Sequence, residues 1–122
     1  MSEKFELEYT LNTSSRVLFN RLSTPAGLAE WFADDVNLKE GRYSFVWDGT
    51  EQIAEVVSRK DNKHIRFRWI EEDEDSFFEF RIQKDELTGD LALMITDFAD
   101  DKDDAVGLWD SQIAELKHAI GL

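Results

Sequence analysis

The chain has 122 residues, of which 42% are hydrophobic, and it carries a formal charge of −13 at pH 7 with no cysteine. A domain of this size buries most of the surface that its unfolded chain exposes, so the composition predicts one folded domain and argues against disorder of the whole chain. The negative charge argues against nucleic acid and anionic membrane surfaces as partners, and the missing cysteines exclude disulfides, thiolate catalysis and cysteine-based metal sites.

The first predicted element is a strand close to the N terminus. Apolar residues alternate with polar ones there, which is the period of a strand that buries one face. The apolar set is Phe5, Leu7, Tyr9 and Leu11. Charged residues such as Glu3, Lys4 and Glu6 interrupt the segment too often for a secretory signal. No later apolar run approaches the ~20 residues that cross a bilayer, so the chain is expected to be cytoplasmic.

Two short helices are predicted directly after this strand. Residues 12–15 offer cap oxygens for the first helix, whose apolar residues are Val17, Leu18, Phe19 and Leu22. The second helix has Thr24 as its cap and Pro25 at a position where a missing N–H costs nothing. Its apolar residues Leu28, Trp31 and Phe32 recur at helical spacing. Helices joined this tightly predict a helical corner.

The middle of the chain predicts an antiparallel meander. Short turn segments, such as Asp48-Gly49 and Asp61-Asn62, separate the strands, whereas parallel neighbours need long crossovers. With the first strand, about six strands are expected, and residues 71–75 are expected to form a longer loop. The five strands of the meander are predicted at Arg42–Trp47, Gln52–Arg59, His64–Ile70, Phe77–Gln83 and Leu91–Phe98.

The last segment predicts a long helix. Asp103 or Asp104 is expected to cap its start, and Gly121 is expected to end it. One apolar stripe would pack on the sheet, so the expected fold class is α+β. The stripe consists of Ala105, Val106, Trp109, Ile113, Leu116 and Ile120.

The predicted inner face of the sheet is rich in aromatic rings. Because antiparallel sheets commonly bury one face, the inward rows of four strands are expected to meet the long helix. The rows contain Tyr43, Phe45 and Trp47; Ile65, Phe67 and Trp69; Phe78, Phe80 and Ile82; and Leu93 with Ile95. Two interpretations stay open, because such rings either fill a core or line a ligand cavity.

Two segments carry a family resemblance. Residues 23–32, Ser-Thr-Pro-Ala-Gly-Leu-Ala-Glu-Trp-Phe, resemble the Thr-Pro-x-x-Leu-x-x-Trp motif of the activator-of-Hsp90 homologues, and residues 107–116 are similar to their glycine and tryptophan helix. The chain thus resembles the START-like, or Bet v 1-like (SRPBCC), superfamily. The resemblance implies a helix-grip fold with a hydrophobic cavity between helix and sheet. Members include carriers, cyclases and chaperone-binding modules, so it does not imply one activity.

No catalytic residue, cofactor or metal ligand is predicted. His64 falls on the outward phase of its strand, and His118 lies opposite Trp109 on the last helix. The aspartates of residues 97–104 lack the spacing of a calcium loop and are interpreted as a solvated loop with a helix cap, with Asp97 as an alternative polar anchor at the cavity mouth. No phosphate loop or nucleophile elbow occurs, although an enzyme is not excluded.

The functional hypothesis is non-catalytic binding of an apolar or aromatic small molecule or lipid between the sheet and the long helix. The alternative is a protein-interaction module of the Hsp90-activator type, and the oligomeric state stays open. The ligand is expected to enter between the helical corner and the first turns of the last helix. The candidate ligand-binding residues are Trp31, Phe32, Phe45, Trp47, Phe67, Trp69, Phe78, Phe80, Leu93, Trp109 and Ile113.

Overall fold

A computed structural model describes residues 2–72 and 75–122, and within them an antiparallel sheet of seven strands packs against three helices. The sheet order is β1-β7-β6-β5-β4-β3-β2, so the last six strands form a meander and β1 closes on β7. The predicted α+β helix-grip architecture is confirmed. The elements are β1 Glu3–Thr10, α1 Ser15–Ser23, α2 Pro25–Leu28, β2 Asp35–Lys39, β3 Arg42–Trp47, β4 Thr50–Lys60, β5 His64–Trp69, β6 Phe78–Lys84, β7 Leu91–Ala99 and α3 Lys102–Ala119.

One strand was not predicted. β2 pairs with β3 through a two-residue turn at Glu40 and Gly41, whose φ angles of 53° and 79° are both positive. That combination gives the hairpin turn that matches strand twist, and Asn-Gly or Asp-Gly is its usual sequence. The expectation of six strands was therefore one short, because Glu-Gly is a weaker turn signal and only Val36 of β2 is buried. Part of the expected loop over residues 71–75 lies outside the described residues.

The helical corner has the predicted caps. The Ser14 hydroxyl accepts a hydrogen bond from the amide of Val17 at 3.1 Å, and the Thr24 hydroxyl accepts one from the amide of Gly27 at 2.9 Å. Gly27 is required by close packing, since a Cβ there would lie 2.3 Å from the carbonyl oxygen of Asn20. The corner is therefore held rigidly, and the residues after α2 leave it in a fixed direction.

The long helix begins two or three residues earlier than expected. Asp101, and not Asp103 or Asp104, is its N-cap, and its side chain accepts a hydrogen bond from the amide of Asp104 at 3.2 Å. Asp103 and Asp104 lie in the first turn, where the helix dipole favours negative charge. The predicted end is confirmed, because Gly121 has φ 80° and the amide of Leu122 bonds the carbonyl of Lys117 at 2.8 Å.

The predicted stripe of α3 faces the sheet. Trp109, Ile113 and Leu116 are buried, and the other members of the stripe are half-buried. No helix in the described part of the chain combines the length and the apolar character needed to cross a membrane.

The centre of the core is a packed set of aromatic rings. Phe45, Phe67, Phe78 and Phe80 are almost fully buried, and the rings of Phe67 and Phe78 stack with their centroids 4.8 Å apart. Phe45 lies edge-on against Phe67 at 5.9 Å. These rings pack against one another on the inner face of the middle strands and form a solid layer, which we call the aromatic floor.

Candidate functional site

A groove of about 850 Å³ lies between the helical corner, the ends of β3 and β5, and helix α3. The chain has four tryptophans, and all of them line this groove. They are Trp31 after α2, Trp47 at the end of β3, Trp69 at the end of β5 and Trp109 in α3. We call this concavity the tryptophan groove.

Hydrogen bonds fix three of the four indole rings. The Nε1–H of Trp31 donates to the carbonyl of Arg21 at 2.7 Å, and that of Trp47 donates to the carbonyl of Phe32 at 2.8 Å. The Nε1–H of Trp109 donates to the Asp97 carboxylate at 3.0 Å. Because these N–H groups have partners within the protein, the rings contribute rigid apolar surface to the groove.

Phe32 joins the parts of the protein that surround the groove. Its carbonyl accepts hydrogen bonds from Trp47 Nε1 on β3 and from Gln112 Nε2 on α3, at 2.8 and 2.9 Å. Its ring stacks on Trp109 with centroids 5.7 Å apart and lies edge-on against Phe45 at 5.2 Å. The residue after the helical corner therefore connects the sheet, the long helix and the aromatic floor.

Polar groups also line the groove, and Asp97 is the one with a perturbed pKa. Burial raises the pKa of this carboxyl above its usual range, while hydrogen bonds from the amide of Phe98 at 2.8 Å and from Trp109 partly oppose the shift. The nearby Glu72 carboxylate acts in the same direction as burial. Asp97 lines the groove, and its role as a polar anchor stays a prediction.

The structure separates the eleven candidate ligand-binding residues into two groups. Trp31, Phe32, Trp47, Trp69 and Trp109 line the groove. The other six are buried in the core beneath it and do not line it, because ring and aliphatic packing occupies the space that a deep cavity would need. These six are Phe45, Phe67, Phe78, Phe80, Leu93 and Ile113. A role of either group in binding stays a prediction.

Several residues that line the groove were not predicted as candidate ligand-binding residues. On α3, Leu108 lies three positions after Ala105 and Gln112 three positions after Trp109, and that helical spacing would have indicated both. Gln52 lies near the start of β4 and Asp34 lies directly before β2, and both line the groove. No local pattern marks these two, since only the fold brings them to the groove.

Several other titratable groups lie away from the groove. Ser58 Oγ and His64 Nε2 are 2.8 Å apart in a contact between β4 and β5, and His118 is exposed in the last turn of α3. Burial and a 2.6 Å hydrogen bond to Asp110 raise the pKa of Tyr9. Burial also raises the pKa of Tyr43. Within residues 2–72 and 75–122, no group of three acidic or histidine side chains is arranged to hold a metal ion.

The chain belongs to the START-like superfamily. The model of the START-like superfamily domain matches residues 1–122. Among solved structures, the chain is similar to the protein BfR322 from Bacteroides fragilis, with 42% identity over 99% of this chain and 93% of that chain and a TM-score of 0.67. No curated protein matches it.

More distant structures share the fold alone. The Aha1 dimer from Colwellia psychrerythraea has 16% identity over 96% of this chain and 95% of that chain, with a TM-score of 0.77. The protein MLL2253 from Mesorhizobium loti has 20% identity over 98% and 97% of the two chains, with a TM-score of 0.74. The helix-grip fold therefore extends over almost the whole of each of these chains.

Proposed function

We propose that this domain binds an apolar or aromatic small molecule or lipid in the tryptophan groove, without catalysing a reaction. The observation that carries the proposal is the convergence of all four tryptophans of the chain, from four separate segments, on one groove. Tryptophan combines a large apolar surface with few rotatable bonds, so it binds ligands at a low cost in conformational entropy.

The size of the groove supports the proposal. Its volume of about 850 Å³ falls inside the range of roughly 300–1,000 Å³ that ligand pockets occupy. The ligand lies at the mouth between corner and helix, and the buried rings of Phe45, Phe67, Phe78 and Phe80 support it from below. Rigid support of this kind favours binding, because little order has to be imposed when the ligand arrives.

A ligand screen tests the proposal. A library of apolar and aromatic compounds is titrated while tryptophan emission and the melting temperature are followed. Ligands that bind the folded state raise the melting temperature as their concentration rises. If no compound changes either signal, the proposal is wrong.

A matched pair of variants locates the binding. Leu108 lines the groove with 63% of its surface exposed, and Leu87 lies outside the groove with 96% exposed. Leu108→Gln is expected to weaken ligand binding about fivefold, because part of a leucine side chain loses its apolar contact. Leu87→Gln is expected to leave affinity unchanged. Equal effects of the two substitutions would place binding elsewhere.

The alternative function is a protein-interaction module of the Hsp90-activator type. Its support is the apolar surface of the open groove, where exposed Leu108 lies among lining residues that include the half-buried rings of Trp47 and Trp69, because contiguous exposed apolar patches are typical of protein-binding surfaces. Direct titration of this domain with a purified Hsp90-type chaperone tests the alternative. Binding that Leu108→Gln weakens, together with a silent ligand screen, would replace the small-molecule proposal.

A further inference from the structure

We propose that the molecule bound in the tryptophan groove is an organic cation, with an apolar or aromatic body and an ammonium group that lies beside Asp97 and Trp109. The inference rests on the proposed function, since it specifies the ligand class of the same groove. The first observation is the charge of the lining. Among the described residues that line the groove, four are carboxylates and none is lysine or arginine. The carboxylates are Glu30, Asp34, Asp97 and Glu115.

The partners of these carboxylates leave a negative charge in the groove. Glu30 forms an ion pair with Arg21, so its charge is already balanced and the negative charge of the groove comes from the other three carboxylates. Asp34 accepts a hydrogen bond from the amide of Asp48 at 2.9 Å, and Asp97 accepts its hydrogen bonds from an amide and an indole. Neutral N–H donors orient a carboxylate but do not cancel its charge. A cationic ligand would supply the compensating charge.

The aromatic walls favour the same ligand class. An ammonium group is attracted to the face of an aromatic ring, most strongly to that of tryptophan, and aromatic sites recognise quaternary ammonium groups in this way. The Nε1 atom at the edge of the Trp109 ring lies 3.0 Å from Asp97 Oδ2, so the indole and the carboxylate are neighbours. One ammonium group next to this pair would contact a ring and a carboxylate together, while the apolar body would lie on the remaining tryptophans.

Several positive side chains of the described residues line other concavities. Arg16, Arg21 and Arg59 line a cleft of about 690 Å³ beside α1. On the outer face of the sheet, Arg66 and Arg81 both pair with Glu79, at 3.1 and 3.4 Å. The negative lining of the tryptophan groove is thus a local property and not only a consequence of the overall charge of −13.

Three probes that share one ring system test the inference. They are 1-naphthylmethylammonium, the neutral 1-naphthalenemethanol and the anionic 1-naphthoate, each titrated calorimetrically into the intact protein. The cation is expected to bind about tenfold more tightly than the alcohol, and the carboxylate more weakly than both. Added salt should weaken binding of the cation and leave the alcohol unaffected. The cation should also displace the alcohol, which shows that the two share a site.

Two variants assign the preference to the groove. Glu115→Gln removes a lining charge at an exposed position, and Glu86→Gln removes the same charge from an exposed loop outside the groove. Glu115→Gln is expected to reduce the preference for the cation over the alcohol about threefold by lowering the affinity for the cation. Glu86→Gln is expected to change neither. Equal losses in the two variants would mean that the cation senses only the overall charge, and the inference would be wrong.

The probes also separate this inference from the proposed function. If the alcohol binds as tightly as the cation, the groove binds apolar molecules and the inference is wrong while the proposed function stands. If none of the three probes binds, the inference is wrong, and the screen of the whole compound library decides separately on the proposed function. Binding of the cation at a stoichiometry far above one, without displacement of the alcohol, would show surface condensation and would also overturn the inference.

Discussion

Phe32 contributes to the groove through its backbone as well as its ring. One carbonyl oxygen accepts hydrogen bonds from Trp47 and from Gln112, so strand β3 and helix α3 are joined through a single residue of the segment after α2. A carbonyl oxygen has two lone pairs, and both are used here. The distance between the helical corner and α3, which sets the width of the groove, depends on this junction.

Removing the Gln112 hydrogen bond should loosen the junction without emptying the core. Gln112→Leu keeps the side-chain size, and Phe32 retains its bond from Trp47, so the free energy of unfolding is expected to fall by about 1 kcal/mol. Urea denaturation measures the change. The control is Gln83→Leu at an exposed position of β6, which should have a smaller effect. A loss in the control as large as in Gln112→Leu would contradict the role of the junction.

Asp97 makes the stability of the domain depend on pH. Its pKa is raised in the folded protein, chiefly by burial, so ionisation is less favourable there than in the unfolded chain. The protonated carboxyl therefore makes its full contribution to the free energy of unfolding below the unfolded pKa of about 3.9. This contribution is lost as the pH rises through the raised pKa of the folded protein. A carboxylate that costs stability at neutral pH is typical of a functional position.

The variant Asp97→Asn isolates this titration. The melting temperature of the wild type minus that of the variant is expected to fall between about pH 3 and pH 7, because only the wild type ionises at this position. Following how this difference changes with pH removes the pH-independent effect on the melting temperature of exchanging an oxygen for an amide nitrogen. A difference that rises over this range would mean that hydrogen bonds from Trp109 and Phe98 outweigh burial, contrary to the account.

At the scale of elements, the fold depends on the contact between α3 and the sheet. Ile113 is 2% exposed on the packed face, whereas Ala114 beside it is exposed. Ile113→Asp places a carboxylate in the core and should lower the free energy of unfolding by at least about 3 kcal/mol, enough to unfold a marginal domain. Ala114→Asp should have a small effect. A wild-type melting temperature for Ile113→Asp would refute the packing.

Two glycines should respond to alanine with opposite signs. Gly41 has φ 79° in the β2–β3 turn, where an alanine is strained, so Gly41→Ala should lower the free energy of unfolding by about 1 kcal/mol. Gly107 lies inside α3 with open space around its Cα, so Gly107→Ala should raise it by roughly 0.5–1 kcal/mol. Chemical denaturation of the two variants measures both changes in the free energy of unfolding. Changes of the same sign would contradict the turn assigned at Gly41 or the helical position assigned to Gly107.

The same elements show how far local patterns reach. Alternation of apolar residues predicted β1 and the meander, and the cap residues Ser14, Thr24 and Gly121 predicted the helical corner and the end of α3. These features depend on a few neighbouring residues. β2 was missed because its turn uses Glu40-Gly41, and because an edge strand with one buried residue has little periodicity.

At the scale of the whole molecule, the location of the candidate site could be predicted only in part. Strand phase and helical spacing marked the four tryptophans and Phe32 as candidate residues, and all five line the groove. The boundary between core and groove depends on how tightly rings such as Phe67 and Phe78 pack, which no pattern in one strand encodes. The polar lining shares this limit in part, because only the fold brings Asp34 and Gln52 to the groove.

The most direct test of the account is a two-dimensional NMR titration of the tryptophan indole N–H resonances with 1-naphthalenemethanol. The chain has four such groups, all on residues that line the groove, so they report on that site together. If the account is correct, all four resonances move along one saturating curve, and the largest amide shifts occur after α2 and in the first half of α3. Unchanged indole resonances, or shifts confined to the arginine-lined cleft beside α1, would contradict it.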